Sequence, residues 1–476
     1  MLLFIVQCIA LYTVSWMCWR TLRRIVVKTD LDNVPGPASD SFLKGNFWKV
    51  FSVNAWSFHK KIGHEYGRVV RIDAVLGDKM LYVSDPKALH HIVVKDQNIF
   101  QETDSFLASS RLLFGEGLLA TIGDQHRKQR KMLNPVFSIA HMRDMIPIFY
   151  QVTHKMGNAL ASKLASGPQE IDIMHWFTRT ALELISQSGL GHSFDSLAEG
   201  SDVHPYSTAA KQLMPVAFKM FVLRNYLLPT LVKLGPPGFR RFMVNLLPIK
   251  NVRRLRDIIN VLHNTSVEIL EARRRALLEG DEAVVSQIGR KDITSILMKA
   301  NMEASDQDKL SESEVLGQMS SLIFAAMDTT SNALSRASSL LASHPEVQER
   351  LRQEILDALE KNGGQDFSYD ELDSLPLLDA VCRETLRLHS PVSTLLRTAR
   401  KEAVLPLFTP ITGVDGREMH EIVVPKDTSI IISIINCNCD PLLWGQDSYE
   451  WKPERWLSPL PEAVMEAPVP GIYSHL

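Results

Sequence analysis

Asp328, Thr329 and Thr330 close a run, Val315 to Met327, that carries no charged residue. An acid and two hydroxyls within an apolar helix are costly unless paired or in use, because an unsatisfied polar group forfeits its hydration. A carboxylate beside a hydroxyl can pass protons into a dry cavity, a general-acid arrangement. The same pattern also fits a helix that surfaces at Asp328 and leaves it solvated. Glu384 and Arg387 form a second group, three residues apart, so on a helix they share a face and can pair. On a surface that pairing contributes only about 0.2–0.5 kcal/mol. Here Val381, Leu388, Pro391 and Val392 make the neighbourhood apolar. The pair therefore reads as buried, structural and intolerant of losing one partner.

The elements that position these residues can be read in outline. Ser311-Glu312-Ser313-Glu314 has capping-box spacing and starts the helix that reaches Asp328. Residues 251–279 repeat apolar positions at helical period, and Gly280 closes the run. Arg68 to Val83 reads as a hairpin turning at Gly77-Asp78, and residues 403–435 as strands punctuated by Pro406, Pro410, Gly413, Gly416 and Pro425. No repeat or low-complexity stretch follows residue 50. The fold class is mainly α with small β-sheets, in one domain. Met214 to Leu247 interleaves Phe218, Phe221, Leu227, Leu231 and others with Lys219, Arg224, Lys233, Arg240 and Arg241. Such a segment fits a membrane interface or a buried helix pair.

Composition narrows the function classes. The chain has 476 residues, 45% hydrophobic and 22% charged, enough for a sizeable core. Lys and Arg total 52 against 54 acidic residues, a balance that argues against a nucleic-acid partner. Five cysteines cannot staple this length, and the absence of a Cys-x-x-Cys pair removes structural zinc. Gly115-Glu116-Gly117-Leu118-Leu119-Ala120 matches a dinucleotide fingerprint, but no strand run precedes it and no acidic ribose-binding residue follows. No Gly-x-Ser-x-Gly elbow, phosphate loop or His-Glu-x-x-His helix occurs, so hydrolase and kinase chemistry lacks support. Residues 1–19 carry no charge and suffice to span a bilayer, and Arg20, Arg23, Arg24 and Lys28 follow. The expected arrangement is a single-pass anchor with the body on the cytosolic side. Residues 20–50 then supply the basic flank and the stiff Val34-Pro35-Gly36-Pro37 hinge. Asn264 lies in a glycosylation sequon that a cytosolic body would leave unused.

Taken together these features resemble the cytochrome P-450 superfamily of heme-thiolate monooxygenases, in its membrane-anchored, fungal-type form. Ala325-Ala326-Met327-Asp328-Thr329-Thr330 resembles its oxygen-binding helix motif, with Ala326 where glycine is usual. Glu384 and Arg387 match the Glu-x-x-Arg pair, and Pro453-Glu454-Arg455-Trp456 matches the later element whose arginine, here Arg455, completes a core triad. The resemblance implies a helical prism with small sheets, a monooxygenase domain over residues 51–476, and heme as cofactor. It implies Asp328 and Thr329 as the proton-delivery pair and Ala325 and Ala326 beside the heme. His126 and Arg130 resemble a Trp-x-x-x-Arg propionate clamp, with His126 replacing Trp, and Arg397 matches a second propionate-binding arginine.

The implied reaction inserts one oxygen atom from O2 into an apolar small molecule, a secondary metabolite or xenobiotic. NADPH would supply the electrons through cytochrome P-450 reductase. The implied setting is the endoplasmic reticulum membrane, with lipid as a further partner. The sequence ends at Leu476 without a match to the family's loop Phe-x-x-Gly-x-Arg-x-Cys-x-Gly, so no residue here is read as the metal ligand. Cys437 and Cys439 lack that context and read as small buried hydrophobes. Two readings stay open: the family's monooxygenase with its domain incomplete at the C-terminus, or a truncated, heme-free, inactive membrane protein that only binds ligands or partners.

Overall fold

The computed structural model describes Ser15, Trp19 and residues 27–198, 204–279 and 292–471. The anchor read over residues 1–19 lies outside these, apart from Ser15 and Trp19. Among the described residues no helix is long and apolar enough to cross a membrane. The chain forms two compact units, one of Met1–Thr103 with Ala380–Leu476, the other Asp104–Asp379.

Strands build the first unit: β1 (Val69–Asp73), β2 (Lys79–Val83), β3 (Phe100–Gln101), β4 (Thr394–Ala399), β5 (Ala403–Thr412), β6 (Glu418–Val424) and β7 (Ser429–Ser433). Five of them make one sheet in the order β1-β2-β7-β4-β3, and β5 with β6 makes a separate hairpin. The hairpin expected from Arg68 to Val83 is present, with Val69 opposite Val83 and Asp73 opposite Lys79. Branched and aromatic side chains favour it because they fit a half-buried pleated surface. β7 then joins β2 in parallel, Met80 opposite Ser429 and Val83 opposite Ile432. Val69, Leu81, Val83, Ile430 and Ile432 alternate onto one face and share a core with Leu405, Leu407, Ile422 and Val424.

The second unit is helical: α1 (Asp104–Phe114), α2 (Gly123–Leu133), α3 (Ile139–Leu164), α4 (Ile173–Ile185), α5 (Pro205–Lys219), α6 (Pro237–Leu246), α7 (Lys250–Glu279) and α8 (Glu312–Ser343) are its main elements. α7 follows the period read over 251–279. α8 starts at the expected capping box, with Ser311 Oγ accepting from the Glu314 N–H and Glu314 accepting from the Ser311 N–H. Val315, Met319, Ile323 and Met327 recur every four residues of α8 and bury one stripe against Leu182 of α4, Leu213 of α5 and Ile258 and Leu262 of α7. Burying each such side chain contributes about 1.5–3 kcal/mol, which holds the long helix in register.

The Met214 to Leu247 segment is not a buried helix pair. Phe239, Phe242, Met243 and Leu246 of α6 line one exposed face, and Leu227, Leu231 and Leu234 before it are exposed too.

The rejected glycine motif has a packing role. A Cβ on Gly117 would fall 2.4 Å from the Gly317 carbonyl of α8, and one on Gly317 would fall 2.3 Å from the Gly117 nitrogen. Both clashes are with backbone, so neither can be relieved by turning a side chain. The loop therefore rests directly on the helix backbone. Alanine at a helical glycine ordinarily stabilises by about 1 kcal/mol. Gly317→Ala should instead lower the denaturant midpoint by an amount worth about 1–3 kcal/mol, the usual cost of overpacking. A raised midpoint would show that the contact is loose.

Candidate functional site

The middle of α8 combines a buried stripe with an open one. Met327 and Ser331 are buried, whereas Ala325 and Asp328 are exposed and Ala326 and Thr329 half-buried. The small side chains at Ala325 and Ala326 leave room beside the helix where a larger residue would fill it. Thr329 Oγ1 donates to the Ala325 carbonyl at 2.7 Å, which spends its proton on the helix and leaves its lone pairs facing outward. Asp328 reaches solvent, yet the protein around it removes part of the carboxylate's hydration and raises its pKa. Among the described residues the Asp328 carboxylate has no hydrogen-bond partner. It is thus free to take up and release a proton toward whatever occupies the open side.

α2 stands against the start of α8 through amides. Gln129 Nε2 donates to Glu314 Oε1 at 2.9 Å and to the Glu116 carbonyl at 2.9 Å, and Gln125 donates to the same Glu314 oxygen. Burial alone would raise the Glu314 carboxyl, but hydrogen bonds from Gln129, Ser311 and Gln125 outweigh it and hold the pKa below its ordinary value. One residue thus serves as both helix cap and interhelical tether. The capping box pointed to Glu314, but nothing in the sequence pointed to the tether. His126 and Arg130 lie four apart on α2, where spacing puts them on one face. Burial, and then the Arg130 charge, lower the His126 pKa, so its imidazole stays neutral at pH 7. Arg130 is exposed and has no ion-pair partner among the described residues.

In the first unit the expected triad assembles. Glu384 and Arg387 sit on α9 (Pro376–Leu388), and both side chains are 0% exposed. Arg387 donates from Nε and Nη2 to the two Glu384 oxygens, each at 2.8 Å, and from Nη1 to the carbonyls of Asn438 (2.8 Å) and Ser448 (2.7 Å). Arg455 lies 3.5 Å from Glu384 and also donates to Asp447 Oδ1 at 3.2 Å. The Lys452 N–H and the Trp456 indole complete the shell of Glu384 at 3.0 and 2.9 Å. Trp444 lies under the Arg387 guanidinium, 4.8 Å from ring centre to Cζ. Trp444 and the indole contact of Trp456 were not foreseen, because spacing along the chain gives no cue to a contact across more than fifty residues.

Arg397 on β4 is already engaged: its Nη1 lies 2.8 Å from Glu102 Oε1. Burial raises the Glu102 pKa in spite of the Arg397 and Arg400 charges nearby. Cys437 and Cys439 are buried, and burial pushes both thiols up, Cys439 to about 11. Neither is a thiolate at neutral pH.

The sequence profile of the cytochrome P-450 family matches residues 35–462. The chain belongs to that family. It is similar to cytochrome P-450 monooxygenase 91 of Postia placenta, 49% identical over 476 residues, covering the whole chain and 87% of that protein. Cytochrome P-450 monooxygenase 81 of the same fungus is 50% identical over 456 residues, 96% of this chain and 82% of that one. Ganoderic acid synthetase CYP5150L8 of Ganoderma lucidum is 43% identical over 472 residues, 98% of this chain and 86% of its own length. The family consists of heme-thiolate monooxygenases that draw NADPH-derived electrons through a reductase. Within the helical unit, Arg130 has no ion-pair partner among the described residues and Ala325 and Ala326 leave open space, features that suit the edge of a heme.

Because Glu384 is held below the ordinary carboxyl pKa of about 4.3, its stabilisation is complete above that value and is lost as pH falls through the depressed one. Burial opposes this shift most strongly, and the Arg387 hydrogen bonds and charge overcome it. Glu384→Gln should cost about 3–5 kcal/mol at neutral pH by denaturant unfolding and blunt this part of acid unfolding. An unchanged midpoint would deny the pair its organising role.

Proposed function

We propose that this chain serves as a monooxygenase that inserts one oxygen atom from O2 into an apolar small molecule, a secondary metabolite or xenobiotic. Cytochrome P-450 reductase would be its electron donor. The observation that carries the reading is the open stripe of α8, where Ala325 and Ala326 make room and Asp328 and Thr329 present proton-handling groups. Heme, when bound, would supply the oxygen activation, and His126 and Arg130 are the side chains of the helical unit that would hold a propionate. Asp328 takes protons from solvent, aided by its raised pKa, and passes them inward. Thr329 presents lone pairs that accept a hydrogen bond from a bound group. Ala325 and Ala326 keep the helix face small enough for an apolar molecule to lie against it.

Asp328→Asn preserves shape and abolishes the titrating oxygen. Product formation in the reductase-coupled system should fall about 100-fold or more, the usual general-acid contribution, with little change in substrate affinity. Equal turnover for Asn and Asp would remove the proton role.

The setting we infer is the endoplasmic reticulum membrane, with residues 1–19 as a single-pass anchor and the body cytosolic. Supporting it are the apolar face of α6 (Phe239, Phe242, Met243, Leu246) and basic residues close to it in the chain, Arg240, Lys250 and Arg253. An exposed apolar face with cations close by fits the headgroup boundary of a bilayer. In lipid nanodiscs, Phe242→Trp should add a tryptophan signal, relative to the parent chain, that chain-brominated lipids quench. Full accessibility of that signal to aqueous iodide would place α6 in water.

A further inference from the structure

One half-buried cation of the helical unit has no acid to balance it. Arg224 lies on the π-helical turn Leu223–Leu227, a rare geometry that occurs frequently at functional sites. Its Nε donates to Ser109 Oγ at 3.1 Å and its Nη1 to the Ala217 carbonyl at 3.4 Å. The remaining N–H groups of the guanidinium have no acceptor among the described residues. Other arginines set into this unit reach carboxylates: Arg179 meets Asp195 at 2.7 Å, and Arg273 meets Asp292 at 2.9 Å. Arg224 meets only a hydroxyl and a carbonyl. Burial lowers its pKa with no neighbouring carboxylate to oppose the shift, and an arginine stays charged at neutral pH all the same. A second bond, from Ser105 Oγ to Asn225 Oδ1 at 2.8 Å, pins the same turn to α1. Ser105 and Ser109 lie four apart, on one face of that helix.

A charge drawn partly out of water is costly unless it is paired, so an unbalanced cation marks a place for an anion. Val222, Tyr226 and Leu227 beside it in the chain, and Phe106 between the two serines of α1, are exposed apolar side chains. The open part of the guanidinium is thus flanked by apolar surface. We propose that Arg224 binds the carboxylate of an otherwise apolar substrate, with Ser109 fixing the orientation of the guanidinium. The planar fork takes both oxygens of a carboxylate in two parallel bonds. The proposal rests on the monooxygenase reading and adds to it the substrate's class, an elongated apolar acid. Phe114, at the far end of α1, packs on Phe324 of α8 with ring centres 4.6 Å apart, next to Ala325. Ser109 and Phe114 are five residues apart. The carboxylate is therefore held about 7–8 Å, measured along α1, from the contact beside the open stripe of α8.

Equilibrium dialysis of the full chain in phosphatidylcholine nanodiscs tests this, with empty nanodiscs as the reference. The probes are hexadecanoic, abietic and cholanic acid, each against its own methyl ester. At least one acid should bind more tightly than its ester by about tenfold or more, the factor expected for a charge-assisted hydrogen bond. Arg224→Gln should erase that preference, leave ester binding unchanged and leave thermal stability equal or raised, because it removes an unbalanced charge. Arg224→Lys, which keeps the charge without the fork, should retain part of the preference. Acid and ester binding equally, or Arg224→Gln weakening both alike, overturns the subsite and leaves the apolar-substrate reading standing. Loss of the acid's advantage when phosphatidic acid is added to the nanodiscs, with ester binding unchanged, would assign Arg224 to a lipid headgroup and also overturns it. Failure of every probe to bind overturns the apolar-substrate reading, and the subsite with it.

Discussion

A guanidinium removed wholly from water would destabilise any fold that did not satisfy all five of its N–H groups. Arg387 meets that demand with two bonds to Glu384 and three to the carbonyls of Asn438, Ser448 and Glu450. The bidentate carboxylate cancels the charge, and the three carbonyls come from a stretch with little regular structure. That stretch is consequently positioned by a side chain on α9. Arg455 and Trp456 reach the same Glu384 from further along the chain, so several irregular segments take their places from one buried ion pair. Pairs of this kind add little net stability compared with apolar substitutes; what they impose is a single arrangement, because every alternative strands a charge.

α8 solves a different problem, that of being core and surface at once. Its apolar stripe holds it against α4, α5 and α7, while the opposite stripe is lined by alanine, aspartate and hydroxyls. Helical back-bonding tames most of those hydroxyls, so the polar side does not unravel the backbone. Glycine at 317 lets the loop at Gly117 touch the helix backbone directly, which removes the space a side chain would take and brings residues 117–118 within reach of Gln318.

Local signals in the sequence were reliable wherever the physics is local. The capping box at Ser311, the period of residues 251–279, the hairpin before Val83 and the Glu384–Arg387 spacing all appear in the structure as expected. The parallel union of β2 with β7 was not legible, since pairing across hundreds of residues depends on which strand arrives, not on either strand alone. Glu102 gave no hint that it would hold Arg397, and the same is true of Gln318 beside the Leu118 N–H. For Met214 to Leu247 the pattern allowed two outcomes, and exposure of Phe239 and Phe242 decides against a buried pair. The glycines at 115 and 117 matched a motif whose meaning requires a preceding strand; their real partner is a helix about 200 residues away.

The first unit is assembled from the two ends of the chain, and this has a consequence for biosynthesis. Tyr82 of β2 bonds Ser433 at the end of β7, 351 residues later. At about 5–20 residues per second, a ribosome needs on the order of 20–70 s to bridge that interval. Throughout it β2 has made its hairpin with β1 but presents an apolar, unpaired edge, the kind of surface that recruits other strands. The helical unit between the two ends is contiguous and can fold as it emerges. Nascent chains of this protein are therefore most vulnerable to aggregation midway through synthesis, and chaperone occupancy should centre on Lys79–Val83 until residues 429–433 leave the tunnel.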